Sequence, residues 1–99
     1  MPAPAEGRID RANDFLEKGR YAAALAEARA VLRRDPGNAA AKMIAQEAEA
    51  ATVVETRLRN ARAALARGDR EAALAEVKAG LAVSGNDARL LALFRELTQ

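Results

Sequence analysis

The sequence predicts an all-α protein of about five helices with a long central helix. Three observations predict it. First, residues 19–32 read GRYAAALAEARAVL and residues 68–81 read GDREAALAEVKAGL, so one helical phrase is written twice, with Gly19 and Gly68 standing 49 residues apart. Second, the chain from Ala39 to Arg67 contains neither glycine nor proline. Third, apolar residues recur at the three- and four-residue intervals of a helix face, and no strand signal is present. A self-similar unit at fixed spacing is the mark of repeat architecture.

The elements come in order. Residues 1–5 are expected as a flexible lead, because Pro2 and Pro4 oppose an earlier helix start. Helix 1 is expected near residues 5–18, where Ile9, Ala12, Phe15 and Leu16 share one stripe and Gly19 supplies the stop. Helix 2 is expected over 21–34, with Tyr21, Ala24, Leu25, Ala28, Val31 and Leu32 on its buried face. Asp35-Pro36-Gly37-Asn38 then breaks the chain: Pro36 disfavours helix at Asp35, Gly37 permits a turn, and Asn38 caps the next helix. Helix 3 is expected over residues 39–67, about 29 residues or roughly 43 Å at 1.5 Å per residue. Its weak point is the β-branched run Thr52-Val53-Val54. Gly68 ends it and Asp69 caps helix 4, expected over 70–83. Ser84-Gly85-Asn86-Asp87 is the second break, and helix 5 is expected over 88–98 with Leu90, Leu91, Leu93, Phe94 and Leu97.

Composition narrows the chemistry. Half of the 99 residues are apolar but only three are aromatic, so the core rests on alanine, leucine, valine and isoleucine. Small side chains bury little area, which predicts modest stability. A net charge of +2, from 16 basic and 14 acidic residues, does not suggest a nucleic-acid surface. Arginine outnumbers lysine, which together with the alanine content suggests a GC-rich bacterial genome. With no cysteine and no histidine, disulfides, thiolate zinc sites and His-based acid–base catalysis are excluded. The remaining carboxylates are scattered, so no enzyme, no cofactor and no metal is expected. No apolar run approaches the ~20 residues of a membrane span, and the first residues lack the pattern of a signal peptide. Membrane insertion is not expected, and the cytoplasm is the expected location.

The two phrases and two breaks resemble tetratricopeptide repeats. Gly19, Tyr21, Ala24, Leu25, Leu32 and Asp35-Pro36-Gly37-Asn38 match the family's helix A/helix B hairpin and its closing turn. Gly68, Asp69, Ala73, Leu74 and Leu81 match again, without the closing proline. Ala12 and Ala61 occupy the small position of helix A, and Phe15 and Ala64 the aromatic position after it. The resemblance covers about residues 6–35 and 55–87. It implies a single TPR-like domain over 6–99: repeat 1 at about 6–38, repeat 2 at about 55–87, and a C-terminal capping helix at about 88–98. The family period is about 34 residues, so the spacing here carries about four additional helical turns inside helix 3.

The resemblance implies a non-enzymatic protein-interaction module, a scaffold, adaptor or chaperone-like protein, with a protein or peptide partner. Groove positions carried across are Ile9, Asp10, Asn13 and Leu16 in repeat 1, and Leu58, Arg59, Arg62 and Leu65 in repeat 2. Asn13, Arg59 and Arg62 suit a carboxylate, and the leucines supply apolar contact. On this reading Leu58→Glu or Leu65→Glu loses the partner without unfolding the chain.

Helix 3 also supports a second function. Ile44, Ala51, Leu58 and Leu65 recur every seven residues, with Val54 and Ala61 at the partner position that Glu47 interrupts; Glu47, Glu49 and Glu55 are assigned to its first half and Arg57, Arg59, Arg62 and Arg67 to its second. An antiparallel pair would oppose acid and base. This predicts a homodimer with Ala48, Ala51, Val54, Glu55 and Leu58 near its centre. The contrary reading is that the chain's other helices cover this stripe, with Glu55 pairing to Arg59 at i, i+4. An RNA-binding helical repeat is a distant third: arginine clusters are present, but no aromatic residues lie among them.

Overall fold

The computed structural model describes residues 4–99. Five helices make up the described residues: α1 (Pro4–Glu17), α2 (Tyr21–Arg34), α3 (Ala39–Ala66), α4 (Arg70–Val83) and α5 (Ala88–Leu97), with no strand among them. The all-α class and the long central helix are as the sequence predicts. The lead expected over residues 1–5 falls partly outside the described residues, and Pro4 and Ala5 already lie in α1. Proline is tolerated there because the first helical N–H groups have no partner within the helix.

Five of the helix ends have a clear local cause, while α2 opens at Arg20 without a side-chain cap. Gly19 and Gly68 take positive φ, 73° and 78°, the left-handed stop that glycine adopts without a Cβ penalty. Asn38 Oδ1 accepts the Ala41 N–H at 2.9 Å, opening α3. Asp69 Oδ1 accepts the Ala72 N–H at 3.0 Å, opening α4. Asp87 Oδ1 accepts both the Arg89 and Leu90 N–H groups, at 3.0 and 3.1 Å, opening α5.

Packing divides the described chain into two compact units that part between Thr52 and Val53. Unit 1 packs α1, α2 and the start of α3. Its core is Ala12, Ala24, Ala28, Ile44, Ala45 and Ala48, bordered by Ile9, Phe15, Leu16, Tyr21, Leu25 and Leu32. Unit 2 packs the rest of α3 with α4 and α5. Its core is Val54, Leu58, Ala61, Val77 and Leu90, bordered by Leu81, Leu93, Phe94 and Leu97. The division falls on the β-branched run. α3 continues through it, with Thr52 Oγ1 donating back to the Ala48 carbonyl at 2.8 Å.

The 49-residue spacing extends to the whole unit. α1 (4–17) corresponds to residues 53–66 of α3, α2 (21–34) to α4 (70–83), and the start of α3 at 39 to the start of α5 at 88. Cross-helix ion pairs obey the same shift: Arg8 meets Glu27 at 3.1 Å, and Arg57 meets Glu76 at 2.9 Å. The Arg57 hydrogen bond holds the Glu76 carboxyl below its ordinary range. Such half-exposed pairs add little stability, so their recurrence marks register rather than strength. The structural repeat is therefore three helices. The turns that lengthen helix 3 beyond a two-helix period are the third helix of unit 1, and α5 is their counterpart in unit 2.

Asp87 gives an acid-sensitivity prediction. Burial pushes its carboxyl up, but hydrogen bonds from the Leu90 N–H and from Arg89 outweigh this and hold it below the usual aspartate range. A carboxyl held low contributes stability at neutral pH that is lost as pH falls through about 4 and below. Asp87→Ala is expected to cost about 1 kcal/mol at pH 7, the ordinary value of a helix cap. Urea unfolding of both proteins should show this difference shrinking by pH 3.

Candidate functional site

The candidate surface begins with α1. Glu6, Asp10, Asn13 and Glu17 are all exposed. At about 100° per residue they fall within roughly 60° of arc, one narrow face. Beside this face lies a cleft of about 230 Å³ between α1 and the start of α3, lined by Ala5, Glu6, Ile9, Asp10, Asn38 and Ala40. Its exposed lining is almost wholly apolar, and Glu6 and Asp10, both exposed, are among the residues that line it. Asn38 is committed to capping α3. The cleft is smaller than the roughly 300 Å³ at which small-ligand pockets begin; its size and lining suit one apolar side chain of a larger partner.

The corresponding positions in unit 2 carry larger side chains and an ion pair. Ala5 and Ile9 are replaced by Val54 and Leu58, which are 4% and 1% exposed. Glu6 is replaced by Glu55 and Ala40 by Arg89, and these two form an ion pair at 2.9 Å. Arg89 also reaches Asp87 at 3.2 Å. Hydrogen bonds to Asp87 first, and to Glu55 second, hold the Arg89 guanidinium above its ordinary range. The stripe equivalent to Asp10 and Asn13 is Arg59 and Arg62, both exposed. The same face is thus acidic in unit 1 and basic in unit 2.

Each residue singled out from sequence has a definite place. Asn13, Arg59 and Arg62 are exposed, while Leu16 and Leu65 are half-buried. Leu58 lies in the unit 2 core, out of a partner's reach. The stripe assigned to a homodimer is largely covered within the chain: Ala48 is buried in unit 1, Val54 and Leu58 are buried in unit 2, and Ala51 is half-buried. Glu55 pairs with Arg89, not with Arg59 as the helix spacing suggests. Sequence reasoning missed Glu6 and Ala40 as cleft residues and Arg89 as the group that closes its counterpart. The 49-residue offset held the signal, since it aligns small Ala40 with long, charged Arg89.

Among the described residues, no group of acidic side chains is placed to hold a metal ion. No helix among them is long and apolar enough to cross a membrane. Comparison with protein-family models, with curated proteins and with solved structures finds no match to this chain.

Proposed function

We propose that the chain is a non-enzymatic protein-interaction module of tetratricopeptide type that grips a protein partner through unit 1. The observation that carries this reading is the apolar cleft between α1 and the start of α3, flanked by the exposed face of Glu6, Asp10 and Asn13. Supporting it are the two helical hairpins joined at Gly19 and Gly68, each covered by a third helix, and the phrases that match the family. A stacked helical repeat presents its first helices as a binding face, and side-chain clefts between them give specificity. The contact residues on this reading are Ile9, Asp10, Asn13 and Leu16, with Arg59 and Arg62 as exposed charges on the second unit.

Ala40→Arg tests the reading. Ala40 is exposed, and the substitution places beside Glu6 the side chain that already meets Glu55 in unit 2. Co-purification from the native cell should return one defined protein with the wild-type chain. The variant should lose that protein while keeping its helical content and melting temperature. Retention of the partner by folded Ala40→Arg would remove the cleft from the binding surface.

A further inference from the structure

We infer that the unit 1 cleft is a one-per-chain socket for an apolar side chain flanked by lysine or arginine in an extended segment of a partner protein. This rests on the proposed interaction function and specifies the ligand's chemistry. Charge complementarity carries it. Glu6, Asp10 and Glu17 put three carboxylates on the face that borders the cleft. Arg8 of α1 is engaged with Glu27, and Lys18, just after α1, with Asp14, which leaves Arg11 as the one exposed cation of α1 against three carboxylates. Ala5, Ile9 and Ala40, the floor for this purpose, are the lining residues that offer apolar contact and no hydrogen-bonding side chain, and Asn38 is occupied in capping α3. An apolar residue alone would leave the carboxylates unused, and a basic residue alone would leave the floor uncovered. A segment carrying both satisfies each.

The single stoichiometry comes from unit 2. There Arg89 already answers Glu55, the larger Val54 and Leu58 stand buried in place of Ala5 and Ile9, and Arg59 and Arg62 would repel a basic segment. The duplicated unit therefore carries one open site and one closed by its own arginine. A second copy of this chain is a poorer occupant. Beside its exposed Arg59 and Arg62, Leu58 is buried, and its exposed Lys42 and Met43 are held in helix α3 rather than in an extended segment.

The test uses two fluorescein-labelled peptides, repeats of Lys-Leu-Lys-Gly and of Glu-Leu-Glu-Gly, titrated with the full chain by anisotropy. The wild type should bind the lysine peptide with one site per chain and should discriminate against the glutamate peptide. Glu6→Lys/Asp10→Lys should weaken the lysine peptide about tenfold, the size of two partly exposed ion pairs, and reverse the preference. Lys78→Glu/Arg95→Glu, an equal change of charge at exposed positions of α4 and α5, should leave lysine-peptide binding unchanged. The inference is overturned by equal affinity for both peptides, by binding of neither, or by indifference to the α1 substitutions. It is also overturned if sedimentation shows self-association that the α1 substitutions abolish, because the occupant is then a second copy. A partner captured through the cleft whose binding segment lacks lysine and arginine would end this inference while leaving the interaction function intact. Loss of that function is scored separately, by Ala40→Arg retaining the partner.

Discussion

Leu58→Glu is expected to unfold unit 2. Leu58 is 1% exposed and packs among Val54, Ala61, Val77 and Leu90, so a carboxylate there has neither water nor a cation. Burying an unpaired charge in place of a large apolar group belongs to the most damaging class of substitutions, above about 4 kcal/mol. A domain of this size has about 5–15 kcal/mol in total. Circular dichroism at 25 °C should therefore show loss of the helical signal of α4, α5 and the second part of α3. Leu58→Ala, which leaves a cavity without a charge, should cost about 3 kcal/mol. The sequence-based expectation is instead loss of a partner without unfolding. A Leu58→Glu protein that melts like the wild type would restore that expectation and contradict the burial of Leu58 in the unit 2 core.

Leu90 and Gly80 give the second large effect, together with a way to interpret it. Leu90 is fully buried, and Leu90→Ala should cost about 3 kcal/mol. Gly80 lies directly against it. A Cβ at Gly80 would come within 2.7 Å of Leu90 Cδ1 and 3.3 Å of Arg57 Cβ, so Gly80→Val overpacks the junction of α4, α5 and α3. Overpacking of this kind costs about 1–3 kcal/mol, against which the helix-propensity gain over glycine is a few tenths. Unit 1 solves the same position in reverse: the equivalents of Gly80 and Leu90 are Val31 and Ala41, both buried. A small residue against a large one has become a large residue against a small one. The double variant Gly80→Val/Leu90→Ala writes the unit 1 pair into unit 2. It should be more stable than the sum of the single costs by about 1–2 kcal/mol. Additivity within about 0.5 kcal/mol would mean that the two positions do not share one space.

Much of this fold was legible because its punctuation is chemical. Gly19, Gly68, Asp35-Pro36-Gly37-Asn38 and the cap at Asp69 fix helix ends through backbone rules that need no tertiary partner. The observed bounds of α2 and α4 accordingly fall where those residues predict. The packing partners of α3 were less legible. Ile44, Ala51, Leu58 and Leu65 form one heptad stripe in sequence, and a heptad does not say whether its partner is another chain or the same one. In the structure the stripe divides at the β-branched run, with Ile44 in one core and Leu58 in the other.

The candidate site was legible only in part, for a related reason. Ile9 belongs to the apolar stripe of helix 1, and Asp10 and Asn13 follow from the groove positions that the resemblance to the repeat family implies. A cleft, however, is a property of two elements, and Ala40 contributes to it by being small. Arg89 closes the counterpart across 34 residues of chain, a distance at which helix-spacing rules carry no information. Laying the two units over each other at 49 residues exposes both facts at once.

The proposed function has one unit of this duplicated chain open to a ligand and the other closed. Amide chemical-shift mapping of the full chain during titration with the Lys-Leu-Lys-Gly peptide tests it most directly. Shifts confined to α1 and the start of α3, saturating at one peptide per chain, are the predicted result. Shifts of equal size at Glu55, Arg59 and Arg89, or saturation at two peptides per chain, would contradict it.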